Sequence, residues 1–136
     1  MTNQRQGDKN MGYKIKRPQN YLSMDPLELM GAIEQDMDFN IPDNVETKEN
    51  QKIASDTLTK ATAYATYFTE METKARLMKR TAKTSKNKEE YERLIGVEDV
   101  FKSYKEIAKL QIENVAKIMT LRRLDLDEQK NNGRIT

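Results

Sequence analysis

The amino-acid sequence predicts an all-α protein built mainly as a long antiparallel helical hairpin. From residue 43 to residue 136 the chain has no proline and only two glycines, whereas all three prolines lie before residue 43. Proline breaks helices and glycine weakens them, so this stretch can be helical almost throughout. Apolar residues recur along it at helical spacing, and a short polar segment near Ser85 separates two predicted helices of similar length, about 44–84 and 88–125.

The segment before the hairpin, residues 1–42, is predicted to be an extended arm that contains one short helix. Residues 1–22 are polar and carry a net charge of +4, which is typical of a flexible arm. Within this arm, Tyr13, Ile15 and Tyr21 are the side chains that can dock on a partner.

The short helix is expected to begin at Asp25, with Pro26 at its first position, and to continue to about residue 38. It is acidic, because residues 24–49 carry a net charge of −7. One of its sides is apolar, and a helix this short is marginal alone in water. We therefore expect it to fold against the main body or a second protein, through the interface residues Leu29, Ile33 and Met37.

The hairpin, residues 43–126, is predicted from two helix starts followed by apolar stripes. Asp43 precedes Glu46 and Asn87 precedes Glu90, the spacing of a capping box. The first stripe comprises Ala54, Ala61, Tyr64, Phe68, Met71, Ala75, Met78 and Ala82. The second comprises Tyr91, Leu94, Val97, Phe101, Tyr104, Ala108, Val115, Ile118 and Met119. Gly96 interrupts the second helix and indicates a kink or a close packing point.

Residues 127–136 lose this periodicity and are expected to form a flexible tail. Leu110, Leu121 and Leu124 lie on the opposite side of the second long helix and predict a further protein interface. Two helices alone leave much apolar surface uncovered, so we expect a homo-oligomer or attachment to a larger protein assembly.

Composition argues against an enzyme. The chain of 136 residues has no histidine, cysteine or tryptophan, and its net charge is only +2. No glycine-rich phosphate loop is present, and the acidic residues lack the spacing of a calcium loop, so we expect no cofactor and no metal. No apolar run is long enough to span a membrane, and the first residues do not resemble a signal peptide. We expect a soluble, intracellular protein without membrane contact.

A basic segment at the hairpin tip is the candidate functional site. Residues 74–88 contain seven basic residues and no acidic residue. Such a cluster can contact nucleic-acid phosphates, although a solvated face or an acidic protein partner would use the same residues. No aromatic residue lies among them, so base stacking is not indicated. The predicted nucleic-acid-binding residues are Lys74, Arg76, Lys79, Arg80, Lys83, Lys86 and Lys88.

Residues 87–95 (NKEEYERLI), followed by residues 105–111 (KEIAKLQ), resemble the central region of small terminase subunits from T-even-like phages. The likeness covers roughly residues 50–120, although Lys88-Glu89-Glu90 stands where that family has a proline and an arginine. The resemblance implies a non-enzymatic ring of hairpins that engages viral DNA and regulates an ATP-driven motor subunit during genome packaging. Such a protein would act in the host cytoplasm.

Two alternatives remain open at the level of sequence. The overall layout is also similar to that of a phage recombination mediator, a small helical oligomer that binds single strands and a recombinase. Alternatively, the chain is a structural or adaptor subunit of a large assembly, for example a virion component. In that case the arm of residues 1–42 would lie along neighbouring subunits.

Overall fold

The computed structural model describes residues 14–15 and 21–135, with side chains through residue 130. Within these ranges, a short 3-10 turn at Tyr21–Ser23 precedes three α-helices, which are α1 (Pro26–Asp36), α2 (Lys48–Thr84) and α3 (Lys88–Ile135). The part of the chain that is described contains no β-strand. The two long helices pack antiparallel, which confirms the all-α fold and the hairpin.

The core between α2 and α3 follows the predicted apolar stripes. At its centre, the ring centroids of Phe68 and Phe101 are 6.0 Å apart. Most other stripe residues are also buried, but Met78 and Met119 are more than one-third exposed and lie at the edge of the core. Helical spacing therefore identified the buried face of both helices, because residues three and four apart share one side of a helix.

The turn at the hairpin tip is a Schellman motif. The Asn87 amide donates to the carbonyl of Ala82 at 2.9 Å, and the Lys86 amide donates to the carbonyl of Lys83 at 3.2 Å. Lys86 has a φ of 58°, in the left-handed region that glycine adopts most easily. The side chain of Asn87 then accepts from the Glu90 amide at 3.3 Å, which confirms Asn87 as the N-cap of α3.

The first long helix begins later than the sequence predicts. Its N-cap is Thr47, whose hydroxyl oxygen accepts from the Asn50 amide at 3.0 Å. The predicted start at Asp43 is wrong because the residues after it serve other contacts. The Asn44 side chain accepts from the Glu46 amide at 3.1 Å in a local turn, and Val45 is buried in a cluster with Ala54 and Val115.

The second long helix ends later than expected. We predicted that it would end near residue 126 and leave a flexible tail, but α3 continues to Ile135. The loss of the apolar stripe shows only that this part of the helix has no side to bury. It does not show that the helix ends there. Residues 125–130 include leucine, glutamate, glutamine and lysine, which favour helix without tertiary contacts.

The short helix α1 packs on the hairpin of its own chain. Leu29 and Ile33 are fully buried and Met37 is nearly so, all in one cluster with residues of both long helices. The assignment of these three residues to an interface with a second protein is therefore corrected. They contact the hairpin of the same chain instead. We expected this helix to fold either on the main body or on a second protein, and the first of these is found.

Polar contacts fix the chain around α1 against α3. Arg93 donates to the carbonyls of Leu22 and Met24 at 2.9 and 2.8 Å. The Tyr104 hydroxyl donates to the Glu34 carboxylate at 2.6 Å. Burial, together with this hydrogen bond, raises the pKa of Tyr104 to about 12, so the phenol keeps its proton at neutral pH.

Of the predicted arm, residues 1–42, the structure describes 14–15 and 21–42, and Tyr13 lies outside the described residues. The parts that are described contact the hairpin. Ile15 packs against the core, and Tyr21 is fully buried with its ring edge on Tyr67 at a centroid distance of 5.8 Å. Its hydroxyl donates to Asp36 at 2.6 Å. The docking expected for Ile15 and Tyr21 thus occurs within the chain.

Candidate nucleic-acid interface at the hairpin tip

The seven predicted basic residues divide into two groups. Arg76 and Lys79 form ion pairs with acidic residues of the same chain. The remaining five are exposed and form no ion pair with any residue in the described ranges 14–15 and 21–130. These five are Lys74, Arg80, Lys83, Lys86 and Lys88.

The paired group joins α2 to α3. Lys79 donates to one carboxylate oxygen of Glu98 at 2.7 Å, and Arg76 donates to the other at 3.3 Å. Arg76 also contacts Glu72 at 3.3 Å, and Lys105 reaches Glu72 from α3 at 2.6 Å. The hydrogen bond from Lys79 and the contacts with Arg76 lower the pKa of Glu98, outweighing the opposite effect of burial. Arg76 and Lys79 are therefore better described as links between the helices than as nucleic-acid contacts.

The unpaired group includes three lysines that surround an open cleft at the tip. This lysine cleft has a volume of about 260 Å³ and is lined by Ala82, Lys83, Lys86, Asn87, Lys88 and Tyr91. Lys83 lies in the last turn of α2, Lys86 in the turn itself and Lys88 at the start of α3. Lys74 and Arg80 lie on α2, farther from the turn.

Tyr91 is the aromatic residue of the lysine cleft, and it was not among the predicted site residues. We assigned it to the apolar stripe and found no aromatic residue among the basic residues. The structure brings it beside Lys83 and Lys86 because the turn folds α3 back onto α2. Lys88 and Tyr91 are three residues apart on one helix and therefore share a face. This spacing could have placed an aromatic residue beside the basic cluster from the sequence alone.

This arrangement fits an anionic ligand that has a flat apolar part. Three ammonium groups attract phosphate, and each can donate several hydrogen bonds because no described carboxylate is paired with it. Tyr91 is partly exposed in the same cleft and offers an aromatic surface to a base. A strand of nucleic acid supplies both features.

The second candidate surface is an apolar face of α3. Leu110, Leu121 and Leu124 are 52%, 59% and 54% exposed, as expected for residues on the side turned away from α2. Only this part of the predicted protein interface is accessible, because Leu29, Ile33 and Met37 are buried. Leu126 is also exposed, near the free end of the helix.

Other features of the described chain carry less information. A groove of about 600 Å³ runs beside residues 38–40 and is lined by Asp38, Asn40, Ile53, Asp56, Thr57, Thr59 and Lys60. Within the described ranges no three acidic residues are grouped so that they would hold a metal ion. None of the helices described is both long and apolar enough to cross a membrane.

Comparison with protein-family models, curated proteins and solved structures finds no match for this chain.

Proposed function

We propose that this protein is a non-enzymatic, self-associating helical protein that binds viral DNA through the lysine cleft. In this proposal it regulates genome packaging in the manner of a small terminase subunit. The observation that carries the DNA-binding part is the contrast within the basic segment. Arg76 and Lys79 are neutralised by Glu98 and Glu72, whereas the lysines of the cleft have no acidic partner among the described residues.

The position of the cleft supports this function. It lies at the far end of a hairpin whose long helices measure about 55 and 72 Å at 1.5 Å per residue. A charged group placed there meets a phosphate backbone without disturbing the core. Single contacts of this kind are weak, but self-association multiplies the number of tips and raises the overall affinity for DNA that reaches more than one of them.

The test is a binding titration with fluorescently labelled duplex and single-stranded DNA. A variant with Lys83→Gln, Lys86→Gln and Lys88→Gln removes three charges from the lysine cleft. We expect wild-type protein to bind at low salt and this variant to bind at least roughly tenfold more weakly.

The matched control carries Lys52→Gln, Lys102→Gln and Lys109→Gln. These lysines are exposed, and the variant has the same net charge as the tip variant. If the two variants lose affinity equally, binding reflects total charge and not the tip. Absence of binding by the wild type at low salt would contradict the proposal.

A second candidate function is an adaptor or structural subunit of a large assembly, and the exposed leucines of α3 favour it. Leu110, Leu121 and Leu124 are accessible along a helix that continues past the start of α2. Such a face fits contacts between subunits of a particle. Under this alternative the wild type binds no DNA at low salt, and the Lys83, Lys86 and Lys88 substitutions leave assembly unchanged.

A further inference from the structure

The exposed side of α3 carries a short seam with heptad spacing. Lys117, Leu121, Leu124 and Glu128 are separated by four, three and four residues, so they lie along one line of the helix. All four are exposed. The core residues Ala108 and Val115 lie on the other side, against the rest of the chain. No residue in the described ranges buries these four side chains, so a second helix can reach the seam.

The seam is complementary to a second, antiparallel copy of itself. Two leucines form its centre, a lysine lies at one end and a glutamate at the other. When a second copy is laid antiparallel about the midpoint, Leu121 faces the Leu124 position of the other copy. Lys117 then faces the Glu128 position, and the same pair recurs at the other end. This is the self-complementarity that a two-fold symmetric contact requires.

The sequence continues the same symmetry in both directions. Asn114 and Leu110 occupy the preceding seam positions, and Asn131 and Ile135 occupy the following ones. Antiparallel alignment thus matches asparagine with asparagine and one aliphatic residue with another. A parallel alignment in register would instead place Lys117 beside Lys117 and Glu128 beside Glu128, which is repulsive at both ends.

The rest of the fold leaves room for this contact. α1 docks on the half of α3 nearest the tip. Glu34 of α1 accepts a hydrogen bond from Tyr104, and Met24, just before α1, accepts one from Arg93. Through residue 130, the last buried residue of α3 is Val115, which packs with Val45 and Ala54. Beyond it, α3 continues for about 30 Å to Ile135 at 1.5 Å per residue.

We propose that a second copy of this chain pairs antiparallel along Lys117, Leu121, Leu124 and Glu128, forming a two-fold symmetric dimer. This inference rests on the self-association in the proposed function and not on DNA binding. The two lysine clefts then point in opposite directions. About 34 residues separate the dimer centre from each tip, so the tips lie roughly 100 Å apart.

The test is a charge exchange followed by sedimentation equilibrium of the full-length protein. Lys117→Glu and Glu128→Lys, each alone, place like charges at both ends of the dimer. The double variant restores opposite charges. We expect each single variant to weaken dimerisation roughly tenfold and the double variant to return to the wild-type dissociation constant.

Leucine variants check the centre of the seam. Leu121→Gln with Leu124→Gln is expected to abolish the dimer, whereas Leu77→Gln, at an equally exposed leucine of α2, leaves it intact. Helicity is compared by circular dichroism to confirm that each variant folds. A wild type that stays monomeric at every concentration overturns both this inference and the proposed self-association. A wild-type dimer that single charge variants do not weaken overturns only the antiparallel alignment.

Discussion

Gly96 of α3 lies directly against the ring of Pro26, the first residue of α1. A β-carbon at position 96 would overlap the Pro26 ring and would lie 3.1 Å from its Cβ atom. The position has no room for a side chain, and the sequence-based expectation of a close packing point is confirmed. At this contact the start of α1 packs directly on the backbone of α3.

Gly96→Ala is therefore expected to destabilise the protein, although alanine is the better helix former. The overlap with Pro26 forces α1 to shift, and overpacking of this kind costs roughly 1–3 kcal/mol. Urea unfolding followed by circular dichroism measures the change. Gly31→Ala is the matched control, because nothing lies within 4 Å of its added carbon, and it should stabilise by about 1 kcal/mol. Equal effects at both positions would refute close packing at Gly96.

Replacing Lys86 by glycine is expected to stabilise the hairpin. Lys86 holds a left-handed conformation in the turn, which costs a residue with a β-carbon about 1 kcal/mol. Thermal unfolding should show a higher midpoint for Lys86→Gly. Lys83→Gly removes the same charge from the last turn of α2, where glycine weakens the helix, so its midpoint should fall. A lower midpoint for Lys86→Gly would be inconsistent with the described turn.

The ion pairs between α2 and α3 predict a loss of stability in acid. The pKa of Glu98 is lowered from its ordinary value of 4.5, chiefly by the hydrogen bond from Lys79. The stabilisation is therefore complete above that value and is lost as the pH falls through the lower pKa of the folded protein. Glu98→Gln should cost about 1 kcal/mol at neutral pH.

Urea unfolding of the wild type and of Glu98→Gln at several pH values tests this relation. The difference between the two proteins should shrink as the pH falls below 4.5, the ordinary pKa of a glutamate. Glu113→Gln, at an exposed residue without an ion pair among the described residues, serves as the control. A difference that stays constant from neutral to acidic pH would show that Glu98 does not stabilise the fold through its charge.

Much of the fold was predictable because it depends on local rules. The absence of proline after residue 42 and the spacing of residues such as Phe68 and Phe101 define two helices and their buried sides. The cap at Asn87 is also a local signal. The start of α2 was misplaced because Asp43 and Thr47 both carry suitable cap chemistry. Packing of Val45 against Val115 decides between them, and that contact joins distant parts of the chain.

The candidate site was only partly predictable for the same reason. Lys83 and Lys79 look alike in the sequence, since both are basic residues on one helix. Whether a lysine is free depends on the alignment of α2 with α3, which places Glu98 beside Lys79. The burial of Leu29 likewise depends on where α1 docks. Tyr91 shares a helix face with Lys88, but it meets Lys83 and Lys86 only through the geometry of the turn.

The most direct test of the central claim is the salt dependence of DNA binding. Each lysine that neutralises a phosphate adds about 0.9 to the slope of log K against log salt for duplex DNA. If Lys83, Lys86 and Lys88 hold the backbone, their replacement by glutamine should reduce the slope by roughly 2 to 3. The control with Lys52, Lys102 and Lys109 replaced should keep the wild-type slope. A slope that is the same in both variants, or no binding by the wild type at low salt, would contradict the account.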